Sequence, residues 1–225
     1  MIAIDHLMDV RKHIDGLHAV LFDLDDTLYS EKDYVRSGYR EAAKLLPGIP
    51  HAAERLWEYF AAGKPAIDAL LCDTGCYTEA LKQSCLQAYR LQKPDIALYP
   101  EADQLLAALR VQGLFIGIIT DGRPEGQRAK LSALGLWDRI DAVIITDELG
   151  GIAYRKPHPA AFRLMKEKAE NGLGKTLCYA QLCYIGDNKG KDFIAPEQLG
   201  MRSILYRNRD GIYAETMNDE IHAQR

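Results

Sequence analysis

The sequence predicts an α/β protein: an open parallel sheet with helices between its strands, and an all-helical segment inserted after the first strand of the core. Three observations carry this reading. Five short runs, HAVLFD (18–23), LFIGIIT (114–120), DAVIIT (141–146), LCYIGD (182–187) and RSILY (202–206), are apolar on successive positions. That is the pattern of strands buried on both faces, as in parallel sheets. Helical segments separate the later runs, and strand–helix alternation is the signature of an open α/β sheet. The interval 31–98 holds helical segments and no convincing strand.

The elements follow in chain order. The N-terminus, MIAIDHLMDVRKHIDG, interleaves Asp5, Asp9 and Asp15 with apolar positions. It lacks the unbroken apolar region of a signal peptide and reads as an amphipathic helix. After the strand run 18–23 come four helical segments, YVRSGYREAAKLL, HAAERLWEYFAA, KPAIDALL and YTEALKQSCLQAYRLQ. Pro47, Gly48 and Pro50 divide the first two, and Gly63 and Pro65 the next. YPEADQLLAALRVQG then has Pro100 suited to a first helical turn, apolar residues at 105, 106 and 109, and Gly113 as a stop. RPEGQRAKLSALG (123–135) and HPAAFRLMKEKAENG (158–172) repeat that form. The tail from Arg207 is polar and reads as peripheral. The expected organisation is an α/β core of residues 1–30 and 99–225 around a helical unit of residues 31–98, with no internal repeat.

The chain has 225 residues, 48% hydrophobic and 27% charged, with a formal net charge of −4. This is the make-up of a soluble globular protein with a sizeable core. The weak negative charge gives no support to nucleic-acid binding, which shows as a basic patch. No apolar run approaches the roughly 20 residues of a membrane span. The five cysteines, Cys72, Cys76, Cys85, Cys178 and Cys183, form no C-x-x-C pair. They read as reduced, semi-buried thiols packing as small hydrophobes, and the expected location is cytoplasmic. Cys72 and Cys76 could share a helix face, but nothing completes a zinc set. His6, His13, His18, His158 and His222 have no metal-ligand grouping and read as structural or solvent-facing.

The chemistry concentrates at strand ends. LFDLDDTLYS runs apolar residues into Asp23, Asp25 and Asp26. Such a cluster is either an acidic surface turn or a cation site whose carboxylates react. Positions i and i+2 of an extended segment point the same way. Asp23 and Asp25 can therefore face one site at the carboxyl end of a strand, where open α/β sheets bind ligands. Asp26 has the opposite parity and suits a bond to the local backbone. IIT ends in Thr120, followed by Asp121, Gly122 and a helix whose first amides could help bind an anion. Lys156 stands before a proline ahead of another helix. YIGDNKGKD supplies Asp187 and Asp192. Together these offer carboxylates to a hard cation such as magnesium, which often bridges a few carboxylates to a phosphate. They also offer a lysine and a hydroxyl to phosphate oxygens.

These segments, in this order, resemble the four motifs of the haloacid dehalogenase-like hydrolases over roughly residues 18–206. DLDDTL resembles the D-x-D-x-T-L motif, IIT the second, RKP the third, and GDNKGKD the G-D-x-x-x-x-D motif. The resemblance implies a Rossmann-like core with a helical cap inserted after the first motif. It implies a phosphatase that works on a small phosphorylated metabolite, a sugar phosphate or nucleotide, with Mg2+ as cofactor, as a monomer or small homo-oligomer. Asp23 would be the nucleophile that forms an aspartyl-phosphate, and Asp25 the acid and base. Thr120, Asp121, Gly122 and Lys156 would bind the phosphoryl group. Asp23, the backbone carbonyl of Asp25, and Asp187 would hold the metal, with Asp192 an outer-shell ligand or partner of Lys156. Tyr34, Arg36, Tyr39, Arg40, His51 and Lys64 are the polar candidates in the cap. Two positions depart from the family pattern: Asp121 where Asn is frequent, and Lys189 where Pro is frequent. A phosphosugar mutase, a haloacid dehalogenase and a non-catalytic phosphate-binding protein of this fold are the alternatives. Asp25 argues against the dehalogenase, because a departing halide needs no proton.

Overall fold

The computed structural model of the chain describes residues 1–212. It divides into two compact units, Lys32–Ile96 and the remainder, Met1–Glu31 with the chain from Ala97 onward. Among the described residues, no helix is long and apolar enough to cross a membrane. His222 lies outside the described residues.

The α/β unit is built on six strands: β1 (Ile2–Ile4), β2 (Ala19–Phe22), β3 (Phe115–Thr120), β4 (Ala142–Ile145), β5 (Leu182–Gly186) and β6 (Arg202–Tyr206). They pair in parallel throughout, in the order β1-β6-β5-β2-β3-β4. All residues of β2, β3 and β5 are buried, which explains their unbroken apolar sequences. The chain runs outward from β2 through β3 to β4, and on the other side through β5 to β6. The carboxyl end of β2 is thus the topological switch point, where a crevice opens in such sheets.

The N-terminal stretch departs from expectation. It is the edge strand β1 followed by a 3-10 helix, Leu7–His13, and not an amphipathic α-helix. Ile2 pairs with Ile204 and Ile4 with Tyr206. That backbone pairing comes from the far end of the chain and leaves no mark on the local periodicity.

From Lys32 onward, helices α1 (Glu31–Ala43), α2 (Ala52–Ala61), α3 (Ala66–Asp73) and α4 (Glu79–Arg90) form the helical unit. The sheet strands alternate with α5 (Pro100–Val111), α6 (Pro124–Ala133), α7 (Ala160–Leu173) and the short α8 (Ile194–Leu199). Pro100 and Pro124 occupy first turns, where a missing N–H costs nothing. Phe162 and Met165 of α7 pack into one cluster with Leu21, Ile119 and Tyr184 of the sheet. Gly117 in mid-β3 allows this approach, since a Cβ there would lie 2.8 Å from both Leu21 Cδ2 and Met165 Sδ.

The helical unit has its own apolar core, with Leu56, Leu70, Leu71 and Cys85 fully buried. Thr78 caps α4 by accepting from the Leu81 amide at 3.1 Å. Of the cysteines, Cys85 and Cys183 are buried, whereas Cys72, Cys76 and Cys178 are exposed rather than semi-buried. Because α3 ends at Asp73, Cys76 does not share its face with Cys72.

Candidate active site

Asp23 follows directly on β2, its amide donating to the Ile185 carbonyl at 2.8 Å. Its side chain lies almost fully buried at the switch point. The wholly buried Lys156 ammonium makes three polar contacts: Asp23 Oδ1 at 2.7 Å, Asp192 Oδ1 at 2.7 Å, and the Tyr184 hydroxyl at 2.9 Å. The Asp23 and Tyr184 contacts are hydrogen bonds, and the Asp192 contact is an ion pair. Tyr184 donates onward to the Ile119 carbonyl at 3.3 Å. Burial opposes the charge on Lys156, but Asp192 and Asp23 outweigh it and hold the ammonium well above its ordinary range.

Asp187 and Asp192 come from the loop after β5. Asp187 accepts from Thr27 Oγ1 at 3.4 Å, and Asp192 Oδ2 accepts from the Asn188 amide at 3.0 Å. Gly186 makes room for Asp192, since a Cβ there would stand 2.5 Å from Asp192 Oδ2. One carboxylate oxygen from each of Asp23, Asp187 and Asp192 lies within 4.8 Å of the others. Burial raises the Asp187 carboxyl well above the ordinary range, with Asp23 and Asp192 adding to the effect. Burial raises Asp23 too, against the pull of Lys156. Three desolvated oxygen donors, short of positive charge, suit a hard divalent cation.

Asp25 stands apart from that group. Its Oδ1 receives Lys130 Nζ at 2.6 Å and the Tyr29 hydroxyl, and its Oδ2 receives Gln127 Nε2 at 3.1 Å. Burial would raise this carboxyl, but Lys130, with Tyr29 and Gln127, holds it below the ordinary range. Gln127 Nε2 also reaches Thr120 Oγ1 at 2.9 Å and the Asp121 carbonyl. Asp26 takes a left-handed backbone conformation, φ 52°, which Asp tolerates better than most residues. Its carboxylate accepts from the amides of Glu31 at 2.9 Å and Ile212 at 2.7 Å, tying the turn to the end of the described chain.

Asp121, the departure from the family pattern, is tied to the lysine segment. Its Oδ1 accepts from Thr146 Oγ1 at 2.8 Å and from the Lys156 amide at 3.0 Å, and Lys191 Nζ lies 3.6 Å from its Oδ2. Gly122 adopts φ 132°, where a side chain would be strained. Asp23, Asp25, Asp121, Lys156 and Asp187 share a cleft of about 320 Å³ with Asp26, Glu31, Arg155 and Lys191. Arg155 is held two-pronged by Asp147, at 2.7 and 2.8 Å. Burial pushes the Glu31 carboxyl up to about 8, and Asp25 adds to the shift. A larger hollow of about 510 Å³ opens at the amino-terminal ends of β3 and β4, away from these groups.

Thr120 and Lys156 thus adjoin the acidic cluster together with Gln127, Lys130, Tyr29, Tyr184, Glu31 and Lys191, none of which the sequence reading singled out. A signal existed for two of them. Gln127 and Lys130 are three apart on α6, and residues at that spacing share a helix face. The cap candidates sit within the helical unit. Tyr34 and Tyr39 are buried, Arg36 lies 3.9 Å over the Trp57 ring, and Arg40 pairs with Asp95 at 2.8 Å. Lys64 lies 5.5 Å over the Tyr59 ring, and His51 precedes α2 with φ 53°. His6 contacts Glu101 at 3.2 Å, and His18 contacts Lys175 at 2.9 Å.

The strand-end acids, the buried lysine and the parallel sheet define a hydrolase of the haloacid dehalogenase-like class. The sequence matches that family over residues 17–200, and the chain belongs to it. It is 31% identical over 222 residues to the glyceraldehyde 3-phosphate phosphatase of Methanocaldococcus jannaschii, covering 91% of this chain and 90% of that protein. It is 28% identical over 194 residues to a phosphoglycolate phosphatase of Cereibacter sphaeroides, covering 83% and 84%. Its fold resembles that of the magnesium-bound crystal structure of the HAD-family protein YfnB from Bacillus subtilis. That match has a TM-score of 0.62 at 20% identity and covers 84% of this chain and 86% of the other. The chain is a phosphatase-type member of the family.

Proposed function

We propose that the protein is a magnesium-dependent phosphatase of small phosphate esters, working through an aspartyl-phosphate on Asp23. The observation that carries this reading is the Asp23 carboxylate at the switch point, paired to Lys156 at 2.7 Å, with Asp187 and Asp192 oxygens within 4.8 Å. Asp23, Asp187 and the backbone carbonyl of Asp25 would hold the magnesium, with Asp192 supporting them and steadying Lys156. When bound, the cation supplies the positive charge that keeps these acids ionised and draws phosphoryl oxygens to them.

A carboxylate oxygen of Asp23 attacks phosphorus, and the ester P–O bond breaks toward the leaving oxygen. Lys156, Thr120 and the amides of Asp121 and Gly122 bind the phosphoryl oxygens. Asp25 gives its proton to the leaving oxygen, then takes one from the water that attacks phosphorus and frees Asp23.

The test is a panel of phosphoglycolate, glyceraldehyde 3-phosphate, sugar phosphates, nucleotides and 4-nitrophenyl phosphate, with magnesium and with chelator. Magnesium-dependent release of phosphate from at least one small ester is expected. No turnover of any ester, the aryl phosphate included, overturns the reading.

A further inference from the structure

We propose that Lys130, acting with Gln127, is a positioning residue for Asp25, aiming its Oδ2 at the leaving oxygen so that substrates whose leaving group needs a proton depend on it. This rests on the phosphatase reading above. The reaction scheme leaves one buried cation, Lys130, without a role. Lys130 belongs to α6, its side chain only 7% exposed, and it meets Asp25 Oδ1 at 2.6 Å. Burying a lysine stem and its charge is costly unless a partner receives it, and the partner is an acid of the reaction cleft. The ammonium also lies 5.9 Å from the centre of the Tyr29 ring, whose hydroxyl meets the same Oδ1.

The two carboxylate oxygens are therefore unequal. Oδ1 carries a lysine and a tyrosine; Oδ2 carries a single donor, Gln127 Nε2 at 3.1 Å. Oδ2 is therefore the oxygen left to face the leaving group, and what Lys130 contributes to Asp25 is direction and not acidity, since an ion pair favours the ionised carboxylate. Gln127 also bonds Thr120 Oγ1 at 2.9 Å, so one amide links the acid to the phosphoryl-binding hydroxyl. One turn of α6 thus sets the direction of Asp25 relative to Thr120. In the step this serves, Asp23 oxygen bonds to phosphorus and the ester bond releases its electron pair to the leaving oxygen. The Oδ2 proton then neutralises that oxygen. An alkoxide leaving group needs that proton, whereas 4-nitrophenolate departs as a stable anion and does not.

The experiment compares wild type, Lys130→Met, Lys130→Gln and Lys130→Arg on the best alkyl phosphate of the panel and on 4-nitrophenyl phosphate. The readout is kcat/KM, which covers the steps through loss of the leaving group. With general acid catalysis contributing about 100-fold or more, Lys130→Met should lower kcat/KM on the order of 100-fold for the alkyl ester and under about 5-fold for the aryl ester. Lys130→Arg, which keeps a cation, should recover part of the alkyl activity. A structural role alone lowers both esters equally, and that outcome overturns the inference, as does an unchanged alkyl rate. If Lys130→Met does not fold, judged by thermal unfolding, Lys130→Gln decides by the same comparison. Wild type inert toward both esters would refute the phosphatase reading itself, a result distinct from equal losses in an active enzyme.

Discussion

In the helical unit the buried polar side chains are Ser37 and Gln92, whereas the α/β unit buries Asp23, Asp26, Lys130, Lys156, Asp187 and Asp192. One unit is held by leucine and aromatic packing. The other places charges where water cannot reach them and matches them with lysines and hydroxyls. Desolvating a charge is expensive, and a buried ion pair seldom repays it in stability. The difference fits the chemistry proposed for the acids at the switch point, and it predicts that loss of function and loss of stability separate between the units.

The largest test of that separation is Asp23→Asn. Removing a nucleophile typically costs several orders of magnitude, so turnover should fall by about 10,000-fold or more. The unfolding midpoint should hold or rise, because one anion leaves a crowded group. Clear destabilisation in a thermal melt would break the comparison. Lys156→Met works in the opposite sense. It strands Asp23 and Asp192 without their cation, and breaking a buried pair costs about 3–5 kcal/mol; urea unfolding should show it, along with loss of activity.

Leu70→Ala probes the other unit. Leu70 is fully buried in the helical core, and such truncations cost about 2–5 kcal/mol. Below the melting range, phosphate release from 4-nitrophenyl phosphate should stay near wild type. A collapse of activity in a still-folded variant would dissolve the distinction between the units. The smallest change is Gly186→Ala. Its Cβ would stand 2.5 Å from Asp192 Oδ2 and push that carboxylate off its place beside Lys156. Perturbing a supporting ligand costs about 10–100-fold in metal affinity, read as a rise in the magnesium concentration needed for half-maximal rate.

Much of the fold was legible because doubly buried parallel strands write themselves as unbroken apolar runs. β1 was not, since three residues at a sheet edge carry too little pattern and owe their form to β6. The acids were legible for a related reason. Asp23, Thr120 and Asp187 each stand where an apolar run stops, and a strand end in an open sheet is where side chains meet a ligand. Lys130 and Gln127 lie mid-helix, and their shared face is the one local signal, which by itself does not separate them from solvated helix residues. Their role depends on contact with Asp25, 105 and 102 residues away in the chain.

The sequence by itself therefore determined the sheet class, the helical insertion and the acids at the strand ends, because burial and extended geometry act over a few neighbouring residues. Only the tertiary structure decided which acid joins which cation. Asp23 went to Lys156 beside Asp187 and Asp192, and Asp25 to Lys130 and Gln127. Electrostatic partnership is set by distances of a few ångströms in space, and these groups approach only after the strands have assembled in the order β5-β2-β3.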